Sequence, residues 1–193
     1  MKNLYHSDIY KFDIPVSSYW EDISSEKLNF KKLTQDTNSE IVVIGGGYTG
    51  LLCAINLIEK HNLDVILVEA GKIGWGASSR NAGFNCLPPS KMSFKKMQSI
   101  YGVEETKRFF KNSVAGSNYT RDIIKEFNID CDVTGESNYV VAHHKSKFEK
   151  IKEQAEIYKS EFDIETEIYS KEEFNEIGHG GTEQYGAFSY KPG

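Results

Sequence analysis

The rhythm of apolar and polar positions changes abruptly near residue 40. Up to about residue 38 no period is sustained, and segments such as Pro15-Val16-Ser17-Ser18-Tyr19-Trp20 read as an irregular arm whose aromatic rings are available to pack on a neighbouring surface. Ile41-Val42-Val43-Ile44 is then a short β-branched run ended by three glycines, which suits a buried strand of a parallel sheet. Over residues 49–60, Leu51, Leu52, Ile55 and Ile58 recur at helical spacing, with Asn56, Glu59 and Lys60 on the other face. His61-Asn62 supplies the helix end: Asn tolerates the left-handed turn, and a partial positive charge on His61 is favoured at a helix C-terminus. Val65-Ile66-Leu67-Val68 is a second buried-strand run. Strand, glycine turn, helix and strand within about 30 residues make a βαβ unit.

Residues 70–90 are rich in Gly, Ser, Ala and Asn, end at Pro88-Pro89, and carry no apolar period. Loops of that length in compact domains serve a function or are disordered. Helical patterns follow over residues 91–101 and 103–127, and residues 136–143, with Tyr139-Val140-Val141, read as a strand. Phe148, Ile151, Ala155, Tyr158 and Phe162 mark one face of an amphipathic surface helix, and residues 164–168 alternate like a half-exposed strand. Ser170 and Glu173 have the spacing of a capping box ahead of a short helix ending at Gly178. His179, among glycines, reads as part of a turn, residues 184–190 as a last strand, and the chain stops at Pro192-Gly193. A single βαβ unit cannot complete a doubly wound sheet. The expected fold is therefore α/β, a Rossmann-like βαβ unit followed by the start of an α+β domain, in a chain that reads as the front part of a longer protein.

Composition narrows the classes without choosing among them. With 39% apolar and 26% charged residues the chain is too apolar for disorder, and it has no Gly/Pro excess of a fibre. Its 28 acidic against 23 basic side chains, with no basic block, argue against non-specific nucleic-acid binding. No run approaches the roughly 20 apolar residues of a membrane span, and the start MKNLYHSDIYKFD has charges and tyrosines where a signal peptide would be apolar. Cys53, Cys86 and Cys131 are far apart, form no C-x-x-C pair and have no metal spacing with the histidines. A reducing cytoplasm without a structural metal fits this pattern. Cys53, among Leu51, Leu52 and Ala54, is expected to be a small buried hydrophobe. Cys86 follows the loop closely enough to touch a ligand, and Cys131 lies between two acids that disfavour a thiolate. His143-His144 is expected to be a solvated strand end with the two rings on opposite faces, and the Tyr and Phe excess is expected to be mostly core.

Gly45-Gly46-Gly47-Tyr48-Thr49-Gly50 is a G-x-G-x-x-G at the junction of strand and helix. Gly45 permits the tight turn, Gly47 lets a pyrophosphate approach the backbone, and Gly50 lets the helix sit close to the strand. The free N–H groups at Tyr48 and Thr49, with the positive end of the helix, face the phosphates. Glu69 ends the second strand about 20 residues further on, where a carboxylate can accept both hydroxyls of an adenosine ribose. An acid there disfavours a 2′-phosphate, which leaves FAD or NAD ahead of NADP.

The segment Glu69-Ala70-Gly71-Lys72-Ile73-Gly74-Trp75-Gly76-Ala77-Ser78-Ser79-Arg80-Asn81-Ala82-Gly83 resembles the D-amino-acid oxidase/glycine oxidase superfamily of flavoproteins. Within it, the gamma-glutamylputrescine oxidase branch carries a similar G-x-G-A-S-x-R-N-x-G segment. That branch is also similar in its P-x-x-S-Y-W arm, here Pro15 to Trp20, and in a C-D pair, here Cys131-Asp132. The resemblance implies non-covalent FAD. The loop from Gly76 to Gly83 would wrap it, with Ala77 and Ser78 by the pyrophosphate and Arg80, Asn81, Ala82 and Gly83 near the isoalloxazine ring. Arg80 could stabilise negative charge on the reduced flavin or pair with a nearby acid. It cannot form the covalent histidine link of some relatives.

The implied activity is oxidation of the C–N bond of a small amine or amino acid, with hydride passing to the flavin and the imine then hydrolysed. The family's members are about twice this length, so these 193 residues are not expected to turn over alone, and no catalytic base can be named in them. The expected division is an arm over residues 1–38, an FAD-binding βαβ unit with its flavin loop over 39–90, and an incomplete FAD/substrate part over 91–193. An NAD-dependent dehydrogenase and a non-catalytic nucleotide-binding module are the alternatives. Electron acceptor and oligomeric state have no signature in the chain.

Overall fold

In a computed structural model that describes residues 4–14, 17–24, 28–87, 92–178 and 181–191, the two β-branched runs become β1 (Ile41–Ile44) and β2 (Val65–Val68). They pair in parallel, Ile41 opposite Val65 through Ile44 opposite Val68. The crossover is an α-helix, Tyr48–His61, ended by Asn62 in the left-handed conformation (φ 51°), whose N–H returns to the Ile58 carbonyl. A single turn of helix, Tyr19–Ile23, precedes β1 in the arm. In chain order these helices are α1 and α2. The chain forms two units, residues 1–83 and 84–193.

In the first unit the strands are parallel, as their apolar runs predict, but they are not buried on both faces. Alternation turns Val43 toward α2 and leaves Val42 and Ile44 on the other face, 55% and 86% exposed. Cys53 corrects a second expectation: its thiol is exposed, and Ala54 takes the inward position. Each helical step rotates the side chain by about 100°, so one place along α2 separates core from surface. Ile58, in phase with the apolar set, lies nearly half exposed.

The second unit holds a three-stranded antiparallel sheet in the order β3-β5-β4, with β3 at Asn138–Val141, β4 at Thr166–Tyr169 and β5 at Ala187–Tyr190. β5, last in sequence, is the central strand, and all four of its residues are buried. Three helices, α3 (Phe94–Tyr101), α4 (Val103–Glu126) and α5 (Lys145–Phe162), enclose the core with a short α6 (Lys171–Glu176). The apolar face of α5 delivers Ile151, Ala155 and Tyr158 against Phe188 and Tyr190, while Phe110 stacks on Phe162 at 5.0 Å. The expected aromatic core holds for Phe110, Tyr158, Phe174, Phe188 and Tyr190. It fails for twice as many, Tyr5, Tyr10, Tyr19, Phe30, Tyr48, Phe84, Tyr101, Phe109, Phe127 and Tyr139, which are exposed. His143 and His144 lie beyond β3, and His144 caps α5, its Nδ1 accepting from the Ser146 N–H at 3.2 Å. Pro15-Val16, Pro88-Pro89, His179 and Pro192-Gly193 lie outside the described residues.

Residues 84–87 belong to this second unit. The Tyr190 hydroxyl donates to the Leu87 carbonyl at 2.8 Å and accepts from the Leu87 N–H at 2.9 Å, and Tyr158 adds a donor to the same carbonyl at 3.3 Å. Burial pushes both phenols above their ordinary value of 10. Tyr190→Phe strands the Leu87 N–H, so denaturant unfolding should report a loss of about 1–3 kcal/mol. Tyr158→Phe should cost less, because Tyr190 still satisfies both groups.

The capping box predicted at Ser170 and Glu173 forms in full at the start of α6. Ser170 Oγ accepts from the Glu173 N–H at 3.2 Å, and Glu173 Oε2 accepts from the Ser170 N–H at 2.7 Å. The Ser170 N–H, followed by its hydroxyl, holds the Glu173 carboxyl below its ordinary 4.5. A depressed folded-state value means that the stabilisation is complete above 4.5 and is lost as pH falls through the lower folded value. The stability difference between the natural chain and Glu173→Gln should therefore be constant near neutrality and shrink below pH 4.5.

Candidate functional site

The N-terminus of α2 follows directly on the glycine turn. Its N-cap is Gly47, which offers no side-chain cap, and its first turn contains no acidic residue. The helix thus supplies from its own cap and first turn nothing that offsets the partial positive charge and N–H groups of its start. Gly45 makes the turn out of β1 at φ 107°, with its N–H bonded to the Val68 carbonyl at 2.8 Å. At Gly50 a Cβ would run into the Gly45 carbonyl oxygen and lie 3.1 Å from its carbon, so α2 touches the turn because residue 50 has no side chain.

Glu69 closes this turn from the end of β2. Its Oε2 accepts from the Gly46 N–H at 2.6 Å and its Oε1 from the Gly71 N–H at 2.9 Å. Each carboxylate oxygen keeps a second acceptor site, so the group braces the turn and still has capacity for hydroxyl donors.

Residues 71–83 fold back over the same helix start. The Gly74 N–H donates to the Gly46 carbonyl at 2.9 Å, and the Ile73 side chain lies against Gly46. A 3-10 turn, Ala77–Ser79, brings the Ser78 hydroxyl to the Tyr48 N–H at 3.0 Å. A Cβ at Gly47 would meet that hydroxyl at 2.8 Å. Asn81 staples the far end: its amide donates to the Ala77 and Ser78 carbonyls at 3.0 Å, and its Oδ1 accepts from the Gly83 N–H at 2.8 Å.

Gly45, Gly47, Tyr48, Thr49, Gly50, Glu69 and Ser78 therefore converge on one helix end, with Ala77 in the adjoining turn. Ala70, Gly76, Ala82 and Gly83 lie exposed along the loop, and the Tyr48 side chain is 62% exposed. Of the two roles read for Arg80, the geometry speaks only to pairing with an acid. Among the described residues it pairs with no acid; its guanidinium lies 4.6 Å over the Trp75 ring and its Nε donates to the Gly76 carbonyl at 3.2 Å. Sequence reasoning missed Ser18, Trp20, Ile73 and Gly74, which hold the loop in place. Only the aromatic content of the arm hinted at one of them, Trp20.

Cys86 is exposed, next to the anchored Leu87. A shallow cleft of about 410 Å³ in the second unit is lined by Tyr139, Glu167, Tyr169 and Ser189, and there the Tyr169 hydroxyl donates to Glu167 at 2.6 Å. Among the described residues no helix is long and apolar enough to cross a membrane.

Residues 40–193 match the family described as FAD dependent oxidoreductase, DAO. The chain is 31% identical over 144 residues to the gamma-glutamylputrescine oxidoreductase of Escherichia coli strain K12, an alignment covering 74% of this chain and 33% of that protein. In fold it is similar to the L-amino acid deaminase from Proteus vulgaris, with a TM-score of 0.61 and 19% identity, over 86% of this chain and 36% of that one. The chain thus spans about a third of the length of these relatives.

Proposed function

Because the chain belongs to the FAD-dependent oxidoreductase (DAO) family, we propose that it is the FAD-binding part of an enzyme that oxidises the C–N bond of a small amine or amino acid. The observation that carries this reading is the convergence of a helix start with a glycine N-cap and no acid in its first turn, a carboxylate beside the glycine turn, and the Ser78 hydroxyl on one spot. These groups fit a dinucleotide. The α2 N–H groups and Ser78 would hold the pyrophosphate, Glu69 would receive the ribose hydroxyls, and residues 80–83 would lie by the flavin ring. Bound FAD supplies a hydride acceptor for the carbon beside the amine nitrogen, and the imine product is hydrolysed by water. The chain's own residues bind and orient the cofactor. Arg80, held on Trp75, brings a fixed positive charge to the loop.

The amine or amino-acid substrate rests on the kinship with a gamma-glutamylputrescine oxidoreductase and an L-amino acid deaminase. The division into arm, cofactor unit and the start of a substrate part belongs to the same proposal. No covalent link is expected, since Arg80 stands where a linking histidine would be required.

The test is acid precipitation of the whole purified protein, followed by visible spectra of supernatant and pellet. FAD in the supernatant, and its bleaching by an amine or amino acid under anaerobic conditions, is the expected result. A yellow pellet would overturn the non-covalent reading. A colourless protein stabilised by NAD would replace it with a dehydrogenase.

A further inference from the structure

We propose that the N-terminal arm is a strap that sets the shape of the cofactor loop, and that Trp20 is its principal positioning residue. The inference rests on the loop from Gly76 to Gly83 wrapping the flavin, with residues 71–75 leading into it. The arm meets that stretch at points spread from Gly71 to Gly83. Phe12 sits edge-on to Trp75 at 5.1 Å, and its Cβ would lie only 3.3 Å from a Cβ at Gly71. Trp75 Nε1 donates to the Ile14 carbonyl at 3.4 Å, and the Ser18 hydroxyl donates to the Ser79 carbonyl. Trp20 Nε1 donates to the Asn81 carbonyl at 2.8 Å. Its indole also covers Gly83, where a Cβ would lie 2.7 Å from Trp20 Cζ2 and where φ is +74°. The loop end is thus shaped to the indole on two counts, by a left-handed backbone and by the missing side chain.

The same loop reaches the helix start through Gly74 and Ser78. Arm, loop and α2 therefore act in series, and whatever fixes residues 79–83 also fixes where the Ser78 hydroxyl stands. A loop of Gly, Ser and Ala left to itself must lose its backbone freedom when the cofactor binds. A loop already held by the arm loses less, and preorganisation of this kind appears as affinity. The Glu21–Lys72 ion pair at 2.9 Å adds little, both side chains being well exposed. The indole is the contact that combines shape with a directed hydrogen bond.

The holoprotein decides this. Trp20→Ala, Trp20→Phe and Ser18→Ala are stripped of flavin and titrated with FAD by fluorescence, and the visible circular dichroism of the bound flavin is recorded at saturation beside the apoprotein melting temperature. Trp20→Ala is expected to bind FAD about tenfold more weakly and, at saturation, to show altered flavin dichroism, which a fold-stabilising role alone would not move. Trp20→Phe should fall between, keeping the ring and losing the N–H. Natural affinity and natural dichroism in Trp20→Ala overturn the proposal, whatever its melting temperature. Should that variant not fold, natural values in both Trp20→Phe and Ser18→Ala overturn it. A natural protein that takes no FAD overturns the cofactor reading itself, a result separate from any difference between variants.

Discussion

Gly50→Ala is expected to destabilise the protein by about 3 kcal/mol and to abolish flavin retention. The added Cβ would collide with the Gly45 carbonyl oxygen and approach its carbon to 3.1 Å, and Val43 Cγ1 to 3.4 Å. Neither backbone atom can swing aside as the end of a flexible side chain would. Relief requires α2 to lift off the turn, which also pulls the N–H groups of its first turn away from the place where they converge with Ser78 and Glu69. A lower denaturant midpoint together with colourless purified protein is the expected pair of results. Natural stability and natural flavin content would show that the close packing of helix on turn does not shape the site.

Glu69→Ala is expected to weaken FAD binding by roughly 100-fold or more, because hydrogen bonds to a charged group contribute about 2 kcal/mol each and at least two would be lost. It also strands the Gly46 and Gly71 N–H groups that the carboxylate now accepts, loosening the turn before any ligand arrives. Glu69→Gln keeps one acceptor oxygen and should retain part of the affinity. Gly47→Val separates the two effects. Its Cβ meets the Ser78 hydroxyl, which can rotate, so folding should suffer less than in Gly50→Ala while the approach of a phosphate is blocked. Equilibrium dialysis with FAD measures all three. Natural flavin content in both Glu69→Ala and Gly47→Val would remove this site as the cofactor cradle.

Most of the elements were legible in the sequence. The apolar runs of β1 and β2, the helical faces of α2 and α5, the left-handed Asn62 and the capping box at Ser170 all arise within one element or between residues three or four apart. Local geometry repeats at fixed periods, so side-chain pattern is enough to reveal it. The glycine turn and its carboxylate were legible for the same reason, because a βαβ unit holds its two strand ends at a nearly constant separation along the chain.

Burial was less legible. A β-branched run signals a buried strand only when both sheet faces are covered, and Val42 and Ile44 have no such cover here. Cys53 shares its neighbourhood with apolar residues, yet lies one helical step outside the inward face.

By itself, then, the chain's sequence determined where the strands and the helices beyond residue 40 lie, and where the glycine turn meets its carboxylate, while the helix Tyr19–Ile23 in the arm left no period to read. Only the tertiary structure decided that β5, last in sequence, runs between β3 and β4, that the long loop divides between two units near residue 83, and that Arg80 lies on Trp75 instead of against an acid. The same is true of the arm: Ser18 and Trp20 bond to carbonyls 61 residues away. Contacts between distant segments depend on shape and on which polar groups remain to be satisfied once each element has formed, and neither leaves a period in the sequence.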